Sequence, residues 1–133
     1  MSLRRQFRLP AEDEQFLDDY GLPWETVIDG SPWLLIHNWP TPKGYTESNV
    51  LAAIRIETGY PDVGLDMVYV FPHLKRVDGK LIGCADALQS IEGKSFQRWS
   101  RHRTPQNPWM PGVDSIASHI FLIEDWFERE FEK

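Results

Sequence analysis

The chain of 133 residues is 41% hydrophobic and 26% charged, so it can bury a core, and its length suits one domain over residues 1–133. Its net charge of -6 disfavours a general nucleic-acid binder, and no apolar run is long enough to span a membrane. One cysteine excludes an internal disulfide, and because residues 1–10 lack the apolar core of a signal peptide, we expect a cytoplasmic protein with a reduced thiol.

The first half of the chain predicts a short helix followed by four strands. Pro10 followed by acidic residues is typical of a helix start, and Gly21 ends this helix. The dipeptide Asp29-Gly30 is typical of a hairpin turn, and Pro72 ends the fourth strand. Short connections between these strands favour an antiparallel meander. The predicted strands cover residues 24–28, 33–38, 50–56 and 66–71, the third of them half-buried.

The second half predicts a long ordered loop and then a helix. Residues 74–111 are rich in glycine, proline, arginine and tryptophan and show no clear period. Asp114 can cap a helix that ends near Glu130, in which His119 is expected to be a packing residue. Apolar residues recur in it at helical spacing, at Ile116, Ile120, Ile123 and Phe127. The order of helix, four-stranded antiparallel meander, long loop and helix predicts an α+β fold.

Charged residues are unevenly distributed along the chain. Acidic residues are concentrated at positions 12–19 and 124–130, whereas basic residues cluster at positions 94–103. The simplest interpretation is two solvated helix faces and one basic loop.

Three segments carry a resemblance to a known family through their order. Tyr60-Pro61 leads into the fourth strand, Asp78-Gly79 and a short apolar stretch lead to Cys84, and Trp109-Met110-Pro111 precedes the last helix. This order resembles the ubiquitin-conjugating enzymes (the UBC-like superfamily), which have a Tyr-Pro turn, a catalytic cysteine and a Trp-x-Pro segment in that sequence. The Leu-Pro start and Trp99-Ser100-Arg101-His102 are similar to its prokaryotic branch Prok-E2 family E.

The resemblance covers roughly residues 9 to 131 and implies a UBC-like fold and a conjugating activity. It implies that Cys84 receives a ubiquitin-like protein from an activating enzyme as a thioester and passes it to an amine, usually a lysine, of a target protein. JAB-type peptidases are associated with the same bacterial systems. No cofactor is implied, because the sequence has no glycine-rich phosphate loop and ATP chemistry falls to the activating enzyme. A single cysteine also disfavours a structural zinc site.

Cys84 is the candidate nucleophile under this resemblance. Its small neighbours, Gly83 and Ala85, leave room for a bulky acyl donor, and we expect the thiol to be exposed. The charges of Arg76 and Lys80 nearby in the sequence would favour the thiolate. The alternative is a buried structural cysteine, a common fate of a lone cysteine.

Several residues are candidates for a supporting role. His102 could deprotonate or orient the incoming amine, or could be a loop histidine that contacts backbone or a tryptophan. Ser100 and Arg101 adjoin it and are further candidates. Asp86 could orient the amine or be a solvated acid, and His73 could shape the loop or cap a strand end.

One departure from the eukaryotic pattern leaves two other functions open. Phe71-Pro72-His73 stands near the place of the eukaryotic His-Pro-Asn, and no asparagine lies between Asn49 and Cys84. The chain could therefore be a non-catalytic UBC-like module that binds a ubiquitin-like protein or activating enzyme. A cysteine hydrolase that uses Cys84 and His102 is the third interpretation.

Overall fold

The computed structural model describes residues 2–133, which form two helices and six strands. In chain order these are α1 (Ala11–Tyr20), β1 (Trp24–Asp29), β2 (Ser31–Pro40), β3 (Asn49–Arg55), β4 (Val68–Phe71), β5 (Ala87–Ile91), β6 (Lys94–Trp99) and α2 (Ile116–Arg129), with a final 3₁₀ turn at Glu130–Glu132. The strands form one antiparallel sheet in the order β1-β2-β3-β4-β6-β5. The predicted α+β class with an antiparallel sheet is confirmed.

The four predicted strands are consecutive antiparallel neighbours, but the sheet has six strands instead of four, because part of the predicted loop at residues 74–111 forms the hairpin β5–β6. Glu92 and Gly93 make its two-residue turn with φ of 50° and 79°, a left-handed pair that matches the twist of hairpin strands. β6 pairs with β4, so the hairpin extends the sheet. β5 escaped prediction because it is an edge strand in which only Ile91 is fully buried, and no apolar alternation results.

The last helix begins slightly later than predicted. Ser115, and not Asp114, is the N-cap residue, and its N–H donates to the Ser118 hydroxyl at 3.0 Å. The Asp114 carboxylate instead accepts the N–H of Met110 at 2.8 Å in the preceding turn. The end of α1 follows the prediction, since Gly21 with φ of 93° donates its N–H to the Leu17 carbonyl.

One face of the sheet packs against the helices. The apolar stripe of α2 is fully buried there, as predicted, and His119 between its members is also buried. The core on this face includes Trp39, Val50, Ala52, Ile54, Val68, Val70, Trp99, Ile116, Ile120, Ile123 and Phe127. Among residues 2–133, the helices lack the length and hydrophobicity required to cross a membrane.

The opposite face of the sheet carries a second, smaller core, which contains Trp33, Ala53, Tyr69 and Phe96, all almost inaccessible to solvent. In the third strand the predicted inward residues Val50, Ala52 and Ile54 are buried, and Ala53 is also buried on the other face. The sheet curls until the β5–β6 turn reaches the β1–β2 turn. There the N–H of Glu92 donates to the carboxylate of Asp29 at 2.7 Å, and Arg4 contacts the Glu92 carboxylate at 2.6 Å. These contacts join the two ends of the sheet over the second core.

Two acidic residues depart from the predicted solvated faces. Asp13 in α1 and Glu130 after α2 are 5% and 2% exposed. The hydroxyl of Tyr60 donates to Asp13 at 2.6 Å and accepts the N–H of Ile116 at 2.9 Å, so it links the two helices. Burial raises the pKa of Asp13. Each buried acid is tolerated because it has polar partners.

Candidate functional site

Cys84 lies in the connection between β4 and β5, three residues before β5 begins. Its side chain is exposed, as predicted. Its φ of 52° places the backbone in the left-handed region, which few residues other than glycine adopt. Such strain persists only where neighbouring contacts impose it, and it is frequent at functional sites.

Two predicted supporting residues impose this conformation on the cysteine segment. The backbone N–H of Ser100 donates to the carbonyl of Cys84 at 2.9 Å. The guanidinium of Arg101 donates to the carbonyl of Gly83 at 3.0 Å and lies 4.9 Å from the centre of the Trp99 ring. Ser100 and Arg101 directly follow β6, so the sheet itself positions the backbone of the candidate nucleophile.

Glu130 holds together the two ends of the segment 77–100, which contains Cys84 and is called the cysteine loop. Its carboxylate lies 3.4 Å from Arg101, which follows the loop, and 3.6 Å from Arg76, which precedes it. Arg76 also donates to Asp78 at 2.6 Å and to the backbone carbonyl of Glu130 at 2.7 Å. Arg76 thus contacts two carboxylates, and the expected support of a Cys84 thiolate by its charge stays a prediction.

His102 is 62% exposed, and its hydrogen-bond partner is Asp66. Nδ1 lies 2.6 Å from the Asp66 carboxylate, just before β4. An imidazole that donates Nδ1–H to a carboxylate presents Nε2 as the basic nitrogen. Asp66 is thus positioned to orient His102. His102 lies two positions after Ser100, the residue that contacts the backbone of Cys84. The sequence analysis did not identify Asp66, because no local pattern indicates that its partner lies 36 residues away.

A groove of about 360 Å³ runs beside the cysteine segment. Its lining includes the other two candidates, His73 and Asp86, together with Lys80, Leu81 and Ala85. His73 is exposed and its Nε2 lies 2.9 Å from the carbonyl of Ser95, so it ties the end of β4 to the hairpin. Asp86 is exposed and open to a ligand in the groove.

Gln97 forms the inner wall of this groove and was also missed from the sequence. Its side-chain oxygen accepts the N–H of Leu74 at 2.9 Å and the indole N–H of Trp99 at 3.0 Å. Its amide nitrogen donates to the carbonyl of Leu74 at 3.0 Å. Gln97 therefore fixes the backbone just after β4, near where the eukaryotic pattern has its asparagine. A strand predicted over residues 94–99 would have drawn attention to Gln97, because this glutamine lies between the aromatic residues Phe96 and Trp99.

The remaining sequence motifs form scaffold rather than a second site. Trp109 donates its indole N–H to the carbonyl of Pro61 at 2.9 Å and covers Gly64, where an added Cβ would lie 2.7 Å from the Trp109 ring. His119 lies 2.9 Å through Nε2 from the carbonyl of Met67. Within residues 2–133, no three His, Cys, Asp or Glu residues are grouped suitably to hold a metal ion.

Comparison with known proteins gives one finding. The family model described as Prokaryotic E2 family E matches residues 9–130, a span that contains Cys84, His102 and the residues that position them. No curated protein and no solved structure gives a match.

Proposed function

Because the chain belongs to prokaryotic E2 family E, we propose that it carries a ubiquitin-like protein as a thioester on Cys84 and transfers it to an amine of a target protein. The observation that carries this proposal is the exposure of Cys84 on a strained backbone inside the matched span. A structural cysteine would be expected in the core instead.

The proposed reaction has two acyl-transfer steps. The Cys84 thiolate attacks the carbonyl carbon of a thioester that joins the ubiquitin-like protein to an activating enzyme, and the activating enzyme's thiolate leaves. A target amine, usually a lysine, then attacks the new thioester. The C–N bond forms, the C–S bond breaks and the Cys84 thiolate returns. The activating enzyme supplies the ATP-dependent step that forms the first thioester.

His102 is the proposed proton acceptor in the second step. The contact of its Nδ1 with Asp66 supports Nε2 as the base that takes the proton of the attacking amine. Asp86, exposed in the adjoining groove, would attract a cationic lysine and orient it. Ser100 and Arg101 are proposed as positioning residues, since both contact the backbone of the cysteine segment.

The experiment is a charging assay with the host's activating enzyme, its ubiquitin-like protein and ATP. Wild type should form an adduct that dithiothreitol removes, and Cys84→Ala should form none. Cys84→Ser, if charged, should hold an oxyester that resists dithiothreitol, because an alkoxide is a poorer leaving group than a thiolate. An adduct on Cys84→Ala, or none on wild type, would refute the proposal.

The same assay separates the alternative functions. Binding of the ubiquitin-like protein or activating enzyme without an adduct would favour the non-catalytic binding module, which the absence of the eukaryotic asparagine favours. Hydrolysis of an added thioester without any partner protein would favour the cysteine hydrolase.

A further inference from the structure

The free edge of β5 begins three residues after Cys84. We propose that this edge receives the extended C-terminal tail of the carried ubiquitin-like protein as an added antiparallel strand. The inference rests on the proposed function for the identity of its occupant. Its own support is the backbone geometry of the hairpin and the direction of β5 relative to the cysteine.

The turn of the hairpin determines which backbone groups of β5 are free. In a hairpin with a two-residue turn, the residues on either side of the turn, here Ile91 and Lys94, exchange hydrogen bonds. Bonding then alternates along β5, so Leu88 and Ser90 direct their N–H and C=O groups away from β6. In agreement, the side-chain amide of Gln89 donates to the carbonyl of Ser90 at 3.0 Å.

The opposite edge of the sheet is already covered. The N-terminal segment runs along β1, where the N–H of Thr26 donates to the carbonyl of Arg4 at 3.0 Å and the N–H of Gln6 donates to the carbonyl of Thr26 at 2.9 Å. β5 ends the other side of the sheet. Arg4 and Asp29 contact Glu92 in the turn beyond β5, but among residues 2–133 no backbone bridge joins the outer edge of Leu88 or Ser90 to another segment.

The sequence of β5 lacks the features that usually protect an edge. Ala-Leu-Gln-Ser-Ile contains no proline, lysine or other charged residue. Proteins usually blunt edge strands with such residues, because unpaired backbone groups are a template for another strand. Leu88 also exposes 60% of its surface on this strand. An edge left open in this way favours strand addition by a partner.

The position of Cys84 indicates which segment would pair with β5 and in which direction that segment would run. An acyl group on Cys84 is the C-terminal end of the carried protein, and a chain terminus is commonly extended and free. Because Cys84 precedes β5, a tail that ends at its sulfur runs opposite to β5. Leu88 lies four positions after Cys84, a reach of at most about 13 Å in an extended chain. Tail residues about four to six positions from the end would therefore pair with Leu88 and Ser90.

The first test needs neither the natural modifier nor the activating enzyme. The probe is an eight-residue peptide of alternating threonine and valine ending in Gly-Gly-cysteamide, supplied as a 2-pyridyl disulfide. The Cys84 thiolate displaces thiopyridone and forms a mixed disulfide that places the C-terminal end of the peptide at Cys84. Hydrogen exchange of individual amides is then followed by NMR. The amides of Leu88 and Ser90 should be protected by about tenfold or more, as expected for one added hydrogen bond each.

The matched control carries the same peptide attached through an N-terminal mercaptopropionyl group. That peptide would have to run parallel to β5 and should protect Leu88 and Ser90 much less. Equal protection by both probes, or none by either, would overturn the antiparallel strand. Dimerisation of the unmodified protein through β5, seen as concentration-dependent protection of the same amides, would also overturn it, because a second copy would then occupy the edge.

A pair of variants extends the test to charging. Ser90→Pro removes the outward N–H, and proline is tolerated on an edge strand where that group faces solvent. Ser90→Ala removes only the hydroxyl and is the control. Ser90→Pro should raise the KM for the activating enzyme charged with the ubiquitin-like protein by about fivefold to tenfold, with Ser90→Ala close to wild type.

The two proposals fail in different ways. Normal charging of wild type and of Ser90→Pro, with no probe protection, would overturn the added strand and leave the conjugating function intact. Protection by the probe on a wild type that never charges would refute the conjugating function and leave a strand-binding edge beside Cys84.

Discussion

The backbone N–H of Ser100 donates a 2.9 Å hydrogen bond to the carbonyl of Cys84. Ser100 directly follows β6, which lies between β4 and β5 in the sheet. The exposed cysteine is therefore attached to an interior strand, although it belongs to an irregular connection. A second contact from Arg101 to Gly83 holds the preceding residue. The side chain of Cys84 is open to solvent while its backbone is fixed, an arrangement that suits a nucleophile.

Native alkylation tests the accessibility of Cys84. Iodoacetamide should modify the folded protein fully at this residue, because the side chain is exposed. Intact-mass spectrometry would follow the modification, with circular dichroism as the control that the fold persists. Modification that requires a denaturant would identify Cys84 as a core residue instead.

His102→Ala should separate charging from discharge. Charging needs only the thiolate and the incoming thioester, so the variant should form the adduct at the wild-type rate. Discharge to added lysine should slow by about 10²–10⁴-fold, the usual contribution of a general base. Asp66→Asn should give a smaller loss, since it keeps a side chain at the hydrogen-bond position and removes the charge. His73→Ala is the control for loss of an exposed histidine near the groove.

Normal discharge by His102→Ala would contradict a role in proton transfer. Loss of charging with the fold intact would instead locate His102 on the surface that docks the activating enzyme.

Gln97→Leu should destabilise the protein strongly. The substitution removes the partner of three buried polar groups, the N–H and C=O of Leu74 and the indole N–H of Trp99. At about 1–3 kcal/mol for each unsatisfied group, we expect a loss of at least about 3 kcal/mol in the free energy of unfolding. Gln89→Leu makes the same change on the neighbouring edge strand and should stay within about 0.5 kcal/mol of wild type. Urea unfolding measures both, and equal effects would contradict the role assigned to Gln97.

Buried His119 should make stability depend on pH. Burial lowers the pKa of His119 to about 4, below the 6.5 of an unperturbed histidine. Since the folded-state pKa is the lower one, the unfolded chain binds the proton first, and the stabilisation present above pH 6.5 is lost as the pH falls. The difference corresponds to about 3 kcal/mol by pH 4.

The matched variant is His119→Gln, which retains an N–H donor for the carbonyl of Met67. Denaturant unfolding between pH 7 and pH 5 should show a decline for wild type and a flatter profile for this variant. Glu25 does not obscure the result, because the adjacent Arg4 lowers the pKa of Glu25 to about 2 and its contribution is lost only below about pH 4.5. Parallel profiles for the two proteins would show that His119 is not the titrating group.

The parts of the fold that the sequence predicted are those with a strong local period. The stripe of Ile116, Ile120 and Ile123 indicated α2, and its burial is confirmed. The family resemblance, inferred from the order of short motifs around Cys84, is confirmed by the match over residues 9–130. Cys84 itself was identified in this way, and its exposure is confirmed, while its reactivity stays a prediction.

The parts that escaped prediction depend on contacts between distant residues. Glu130 looks like one more acid on a solvated helix, and its burial is explained by the approach of Arg76 and Arg101, 54 and 29 residues earlier. Asp66 acquires its significance from His102, and Gln97 from Leu74. The hairpin was hidden because neither face of β5 carries a regular apolar pattern. None of these relationships has a local signature, since each arises when separate elements of the fold meet.

The contacts of Glu130 with Arg76 and Arg101 determine where this protein can accept inserted residues. Arg76 and Arg101 contact the same carboxylate, so the two ends of the segment 77–100 are held together at Glu130. These contacts do not involve the residues between the two arginines. Each doubling of a flexible loop costs only about 0.6 kcal/mol in closure entropy. The β5–β6 turn tolerates insertion poorly, because Glu92 is bonded to Asp29 across the sheet. The turn at residues 77–81 is held at its start, where the N–H of Val77 donates to the carbonyl of Gly44 at 2.8 Å, whereas Leu81 at its end is 94% exposed. We therefore expect a segment added at this turn to leave the cysteine attached to the sheet.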